Sequence, residues 1–191
     1  MTSSDAPSAF GGRLLVGASG AAAVALLPVY LTALRTQFTG SITVFMTRTA
    51  ATFLPPHTVG LFAERVVTGD SPATWPRDNH ASLAAEHDLV TVLPTTANML
   101  SAVAGGAAPN LLAATVLQAT VPVVFFPVMG AAMWDKAAVR RNVEQVRADG
   151  YEVVDPPWGT RYDVSLGTVV EGPMPPAPPQ FVETVRSHLD V

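Results

Sequence analysis

Between Asp88 and Asp135 the chain runs for 46 residues, Leu89 to Trp134, without a charged side chain. A run of that length is long enough to cross a bilayer. This one is broken by Pro94, Asn98, Gly105-Gly106, Pro109-Asn110, Gln118, Pro122 and Pro127. The pieces between the breaks have the lengths of strands and core helices, so they read as elements buried on every side. Leu14 to Leu34 is a second uncharged run, of 21 residues, interrupted by Gly17, Gly20 and Pro28 and carrying Ser19 and Thr32. Both runs therefore read as the interior of a folded domain, and no membrane partner is expected. Asp5 is the only charge before Arg13, so no basic segment precedes the first apolar run. A signal peptide is not expected, and the expected location is the cytoplasm.

The apolar pieces alternate between two kinds. Arg13–Gly17, Ser41–Met46, Leu89–Leu93, Val121–Phe126 and Tyr151–Val154 are short, rich in Val, Leu, Ile and Phe, and lack alternating polarity. Between them lie helical stretches, at 18–35, 47–54, 57–65, 80–86, 96–104, 110–120 and 135–148, with a last one at 182–189. Strands buried on both faces and separated by helices predict an α/β fold, an open doubly wound parallel sheet covered on both sides. Residues 1–12 are small and polar and predict a disordered tail, leaving 13–191 as one domain. Residues 155–179 hold seven of the seventeen prolines and predict a loop or lid.

Composition removes several functions. Charged residues are 14% of the chain and the net charge is -4, so a basic nucleic-acid face is not expected. There is no cysteine, which excludes a disulfide scaffold, a thiolate metal site and a cysteine nucleophile. The four histidines have no metal-ligand spacing, and no metal site is expected.

Chemistry in such a sheet gathers in the loops after the strands. Gly17-Ala18-Ser19-Gly20-Ala21 follows the first strand and reads either as a phosphate-binding turn or as a tight turn that needs glycine. Thr47 and Thr49 follow the second strand, as phosphate donors or as a helix cap. Pro94-Thr95-Thr96-Ala97-Asn98 follows the third strand with the same two readings. Met129, Gly130, Met133 and Trp134 follow the fourth, where Met and Trp commonly fill a core. His80 opens a short helix 14 residues before Pro94.

Taken in order, these motifs resemble a family: a strand followed by G-A-S-G and a helix, then Asn79-His80 with Ser82-Leu83, then L-P-T-T-A-N at 93–98, then Pro127, Met129, Met133 and Trp134 before a helix carrying Asn142. The family is the homo-oligomeric flavin-containing cysteine decarboxylases, with its P-A-S-A-N-T and P-x-M-N-x-x-M-W motifs. It includes the peptidyl-cysteine decarboxylases of lantibiotic pathways and phosphopantothenoylcysteine decarboxylase. Here Thr95 and Thr96 replace Ala and Ser, Met99 replaces the last Thr, and Gly130 stands in place of the second motif's Asn. Pro109 stands where many members have Asp.

The resemblance implies a cofactor, FMN or alternatively FAD, held by Gly17, Ser19, Gly20, Thr47, Thr49 and Pro94 to Asn98. It implies His80 as the catalytic acid/base. It implies a substrate site at Asn98, Met129, Gly130, Met133 and Trp134, closed by a clamp carrying Ser165, Leu166 and Gly167. The implied substrate is a precursor peptide with a C-terminal Cys, whose oxidative decarboxylation gives a peptidyl aminoenethiol on the way to an aminovinyl-cysteine ring. The coenzyme A branch reduces its enethiol with the help of a cysteine, which this chain lacks. The implied assembly is a homo-oligomer, a trimer or a dodecamer built from trimers. Gly130 motivates an alternative, a flavin-binding regulatory or partner subunit without decarboxylase activity; a prenyltransferase-type flavin relative is a further one.

Overall fold

The computed structural model describes residues 9–164 and 166–190. Strands β1 (Arg13–Ala18), β2 (Ser41–Met46), β3 (Arg65–Val67), β4 (Leu89–Thr95), β5 (Val123–Pro127) and β6 (Glu152–Val153) form one sheet in the order β3-β2-β1-β4-β5-β6. All of its pairings are parallel. The strand order reverses between β1 and β4, which leaves a crevice beyond their carboxyl ends, where sheets of this kind bind ligands. The doubly wound expectation holds, with one strand more than expected. β3 is three residues long at the sheet edge and carries Arg65, so it lacks the continuous apolar run that marks the others. It occupies the end of the stretch expected to be helical at 57–65, of which only Pro56–Val59 (α3) is helix.

One face of the sheet is covered by a 3-10 turn at Ala22–Leu26, α1 (Leu27–Arg35), α2 (Arg48–Phe53), α3 and α9 (Pro178–Leu189). Val24, Leu31, Leu34, Ala50, Val59 and Phe181 pack there against Leu14, Val16 and Val44. The other face is covered by α4 (His80–Ala85), α5 (Ala97–Ala104), α6 (Leu111–Gln118), α7 (Ala131–Trp134) and α8 (Ala137–Ala148). Leu83, Leu100, Leu112, Trp134 and Val143 meet Leu15, Val90 and Phe125 there. Two-sided burial explains why β1, β2, β4 and β5 read as unbroken apolar runs.

Two expected boundaries are corrected. The tail ends before residue 10: Phe10 is buried, bridges to Phe38 in parallel and lies under the Arg186 guanidinium. Residues 1–8 fall outside the described part. The Pro-rich stretch is not a plain loop. Its middle folds into an antiparallel hairpin of β7 (Trp158–Asp163) and β8 (Thr168–Pro173), because the prolines flank the strands, Pro173 being the last residue of β8. Among the described residues no helix is long and apolar enough to cross a membrane.

Candidate functional site

A pocket of about 200 Å³ lies at the reversal of the strand order, lined by Ser19, Gly20, Thr47, Thr49, Thr96, Asn98 and Asn110 among others. Helix starts build it. Thr47, Thr96 and Asn110 are the N-caps of α2, α5 and α6, and each side chain accepts from a backbone N–H two or three residues into its helix, those of Ala50, Met99 and Ala113. The helix ends direct unpaired N–H groups and partial positive charge towards the same space. No carboxylate lines it among the described residues. Such a pocket suits a phosphate.

The two loops flanking the pocket are stitched together through Ser19. Its N–H and hydroxyl both reach the Pro94 carbonyl, at 3.1 and 2.9 Å, and its oxygen accepts from the Thr96 N–H at 2.9 Å. Ser19 therefore shapes the site more than it donates to a ligand. Gly20 leaves room for α2: a Cβ there would sit 2.4 Å from Thr49 Cγ2.

Several expected cofactor residues lie elsewhere. Gly17 is buried beneath α6, where a Cβ would meet Leu112 Cδ1 at 2.6 Å, so its role is packing. Thr95 is still within β4, and its hydroxyl turns inward to donate to the Val92 carbonyl at 2.6 Å. Pro94 contributes its carbonyl to Ser19, and Ala97 packs against the core. Of the five residues 94–98, Thr96 and Asn98 reach the pocket.

The pocket continues into a trough. A second cavity, of about 340 Å³, shares Thr47 and Asn110 with the first and adds Arg48, Thr68, Gly69 and Asp70. A third shares Gly69 and Leu111 with the second and reaches Trp75, Asp78 and Asn79. Asn110, Arg48, Thr68, Gly69 and Asp70 were not expected from sequence. Asn110 alone had a visible signal, an Asn opening an apolar helix.

His80 follows Asn79 in the chain and is exposed, as the first residue of α4. Its position is fixed from both sides. Asn79 caps α4 by accepting from the Ser82 N–H at 3.0 Å, while its amide donates to the Trp75 and Pro76 carbonyls. Arg65 of β3 pairs with Asp78 before α4 and, at 2.7 Å, with Glu86 after it. At the other end of α4, His87 is buried and its Nδ1 lies 2.7 Å from the Leu83 carbonyl. Burial pushes the His87 imidazole below its ordinary value, against the opposing pull of that carbonyl.

The expected substrate residues divide. Met129 and Gly130 line a separate cavity of about 330 Å³, between the 3-10 turn and the base of the hairpin. Trp134 is corrected: it is buried in the core beneath α8, with the Arg140 guanidinium 4.7 Å from its ring centre. A large apolar ring on a four-residue helix that faces the sheet is taken up by packing. Met133 is half exposed on the same helix. Leu166 and Gly167 form the exposed hairpin turn, where Gly167 has φ +64°. Ser165 lies outside the described residues. His80 does not line the Gly130 cavity, which shares no lining residue with the trough. Among the described residues no group of three or more His, Asp or Glu side chains could hold a metal ion.

A family profile described as Flavoprotein matches residues 5–172. The chain belongs to the Flavoprotein family. Within reach of this flavoprotein, mersacidin decarboxylase of Bacillus sp. (strain HIL-Y85/54728) is 35% identical over 156 residues, 82% of this chain and 79% of the relative. The coenzyme A biosynthesis bifunctional protein CoaBC of Bacillus subtilis (strain 168) is 32% identical over 83% of this chain, which spans 39% of that longer protein. Among solved structures, SpaF, described as an FMN-dependent cysteine decarboxylase, superposes with a TM-score of 0.72 at 32% identity, covering 93% of this chain and 95% of SpaF.

Proposed function

We propose that this flavoprotein binds FMN and oxidatively decarboxylates the C-terminal cysteine of a precursor peptide. The observation that carries the reading is the anion pocket at the reversal of the strand order, continuous with a trough that reaches Asn79, the residue before His80. The pocket fits the phosphate of FMN by its chemistry: helix N-termini, hydroxyls of Thr47, Thr49 and Thr96, amides of Asn98 and Asn110, and no carboxylate. The trough leaves room beyond it for the rest of the cofactor. FMN bound there supplies the acceptor for two electrons, which no side chain of this chain can provide.

The substrate change is a loss of two hydrogens and CO2. Oxidation at Cβ and sulfur gives a thioaldehyde, whose C=S group delocalises the electron pair left when the carboxylate departs as CO2. The product is a peptidyl aminoenethiol. His80 holds or moves the proton that this shift requires, since an imidazole can act as both proton donor and proton acceptor. Asn79, Asp78 and Arg65 fix the helix start that presents it. The β7–β8 hairpin closes over the peptide and excludes water. The lack of cysteine supports release of the enethiol, because no thiol is at hand to help return hydrogen to it.

The working form in this reading is a homo-oligomer. His80 does not line the Gly130 cavity of its own chain, and in this reading a second copy brings the two together. Exposed Leu26, Val29, Phe53 and Leu61 offer apolar surface for that contact. The test is His80→Ala, assayed for CO2 release from a peptide ending in Cys and for bound FMN. Loss of a positioned acid/base group lowers turnover by about 10²–10⁴-fold. The reading expects that loss with FMN retained; near wild-type turnover removes His80 from the chemistry.

A further inference from the structure

The Gly130 cavity has walls of small and apolar residues, among them Ala22, Leu26, Met129 and Met174, and one charged lining residue among those described, Arg161. Strand register explains why Arg161 faces it. In the antiparallel pairing Gly159 opposes Gly172 and Arg161 opposes Val170, so all four share one face of the hairpin. That face lies against α7: a Cβ at Gly172 would come within 3.2 Å of the Ala131 Cβ. The paired glycines let the hairpin base settle on α7, and Arg161, next along the same face, is delivered beside Gly130. Around Gly130 itself the space is open, with no atom within 4 Å of where a Cβ would stand.

Resting on the decarboxylase reading above, we infer that Arg161 is the residue that binds the terminal carboxylate of the peptide. A guanidinium carries five N–H donors in a planar fork that matches a carboxylate. In this structure Nη1 lies 3.4 Å from Asp163, whose carboxylate also accepts from the Leu166 N–H at 3.2 Å in the hairpin turn. One long contact on one nitrogen leaves the rest of the fork for a ligand. The side chain is 42% exposed, so it is reachable from the cavity mouth. The apolar walls then take the cysteine side chain, and the open space at Gly130 admits the guanidinium-bound carboxylate close to the main chain. Specificity follows: a free C-terminal acid is accepted and a C-terminal amide is not. The hairpin thus acts as a specificity element, because its register holds the cation at the cavity.

The experiment uses the FMN-loaded protein and Arg161→Gln. Binding of peptides ending in Ser, which lack the oxidisable thiol, is measured by calorimetry as free acid and as amide, alongside kcat and KM for the Cys-terminal acid. Hydrogen bonds to a charged group correspond to about a 10- to 100-fold preference for the acid in the wild type, lost in Arg161→Gln as a matching rise in Kd and KM. FMN content is expected to stay the same, and Arg161→Lys is expected to restore part of the preference. Unchanged discrimination in Arg161→Gln with turnover intact in the wild type overturns this assignment alone. Loss of FMN from Arg161→Gln also overturns it, by giving the arginine a cofactor role. A wild type that holds FMN yet neither binds nor converts Cys-terminal peptides overturns the decarboxylase reading itself.

Discussion

Ser19, Gly20 and Thr49 show how little separates a packing residue from a site residue in this chain. Ser19 spends its hydrogen bonds on Pro94 and Thr96, and so joins the ends of β1 and β4. Gly20 is needed for space, since any Cβ there meets Thr49 at 2.4 to 2.5 Å. Gly20→Ala is therefore expected to push α2 and its Thr47 and Thr49 hydroxyls away from the pocket while leaving the cores intact. Overpacking of this kind costs about 1–3 kcal/mol. Spent at the pocket, that corresponds to an FMN affinity roughly 5- to 100-fold weaker, read by fluorescence titration, with an unchanged circular dichroism spectrum. At this scale the sequence misled in a consistent way. Gly17 and Thr95 read as loop residues but lie at the ends of β1 and β4, and whether such a residue meets a ligand or the core depends on its surroundings in the fold. Leu112 covers Gly17 from far along the chain, and Thr95 turns back to the Val92 carbonyl three residues before it because β4 runs on through Thr95.

Among the elements, α4 depends most on what holds its two ends. It is six residues long, too short to be stable alone, and it holds His80 at one end. Asn79 caps its start and the buried His87 ring closes its end by donating from Nδ1 to the Leu83 carbonyl. Because burial holds the imidazole below its ordinary value, the unfolded chain takes up the proton more readily than the folded one. His87 thus contributes stability that is complete above about pH 6.5 and is lost as pH falls towards the folded value. Urea midpoints are expected to fall as pH drops below about 6.5, and His87→Phe is expected to flatten that fall while lowering stability near neutral pH by roughly 1 kcal/mol. An unchanged pH slope in the variant assigns the acid sensitivity to other groups. Four of the six sheet strands were legible as apolar runs, and β6 was found within the expected 151–154. β3 was not, because an edge strand of three residues headed by an arginine carries no run to see. The β7–β8 hairpin was hidden by the prolines around it, although Tyr162, Val164 and Val169 are exposed there and needed no core to be explained.

For the whole molecule, the separation of the anion trough from the Gly130 cavity matters most. The two share no lining residue among those described. The doubly wound fold itself was readable from buried strands alternating with helices, and the order of motifs along the chain carried the family. What sequence could not supply was which loop residues line the trough and which line the Gly130 cavity, because that depends on contacts between elements far apart in the chain. The central claim is a chemical one, and mass spectrometry of the product tests it most directly. The purified FMN-loaded protein is incubated with a peptide ending in Cys and with the same peptide ending in Ser. The account predicts that the Cys peptide becomes lighter by one CO2 and two hydrogens while the Ser peptide is unchanged. A Cys peptide of unaltered mass, with FMN bound to the protein throughout, contradicts it.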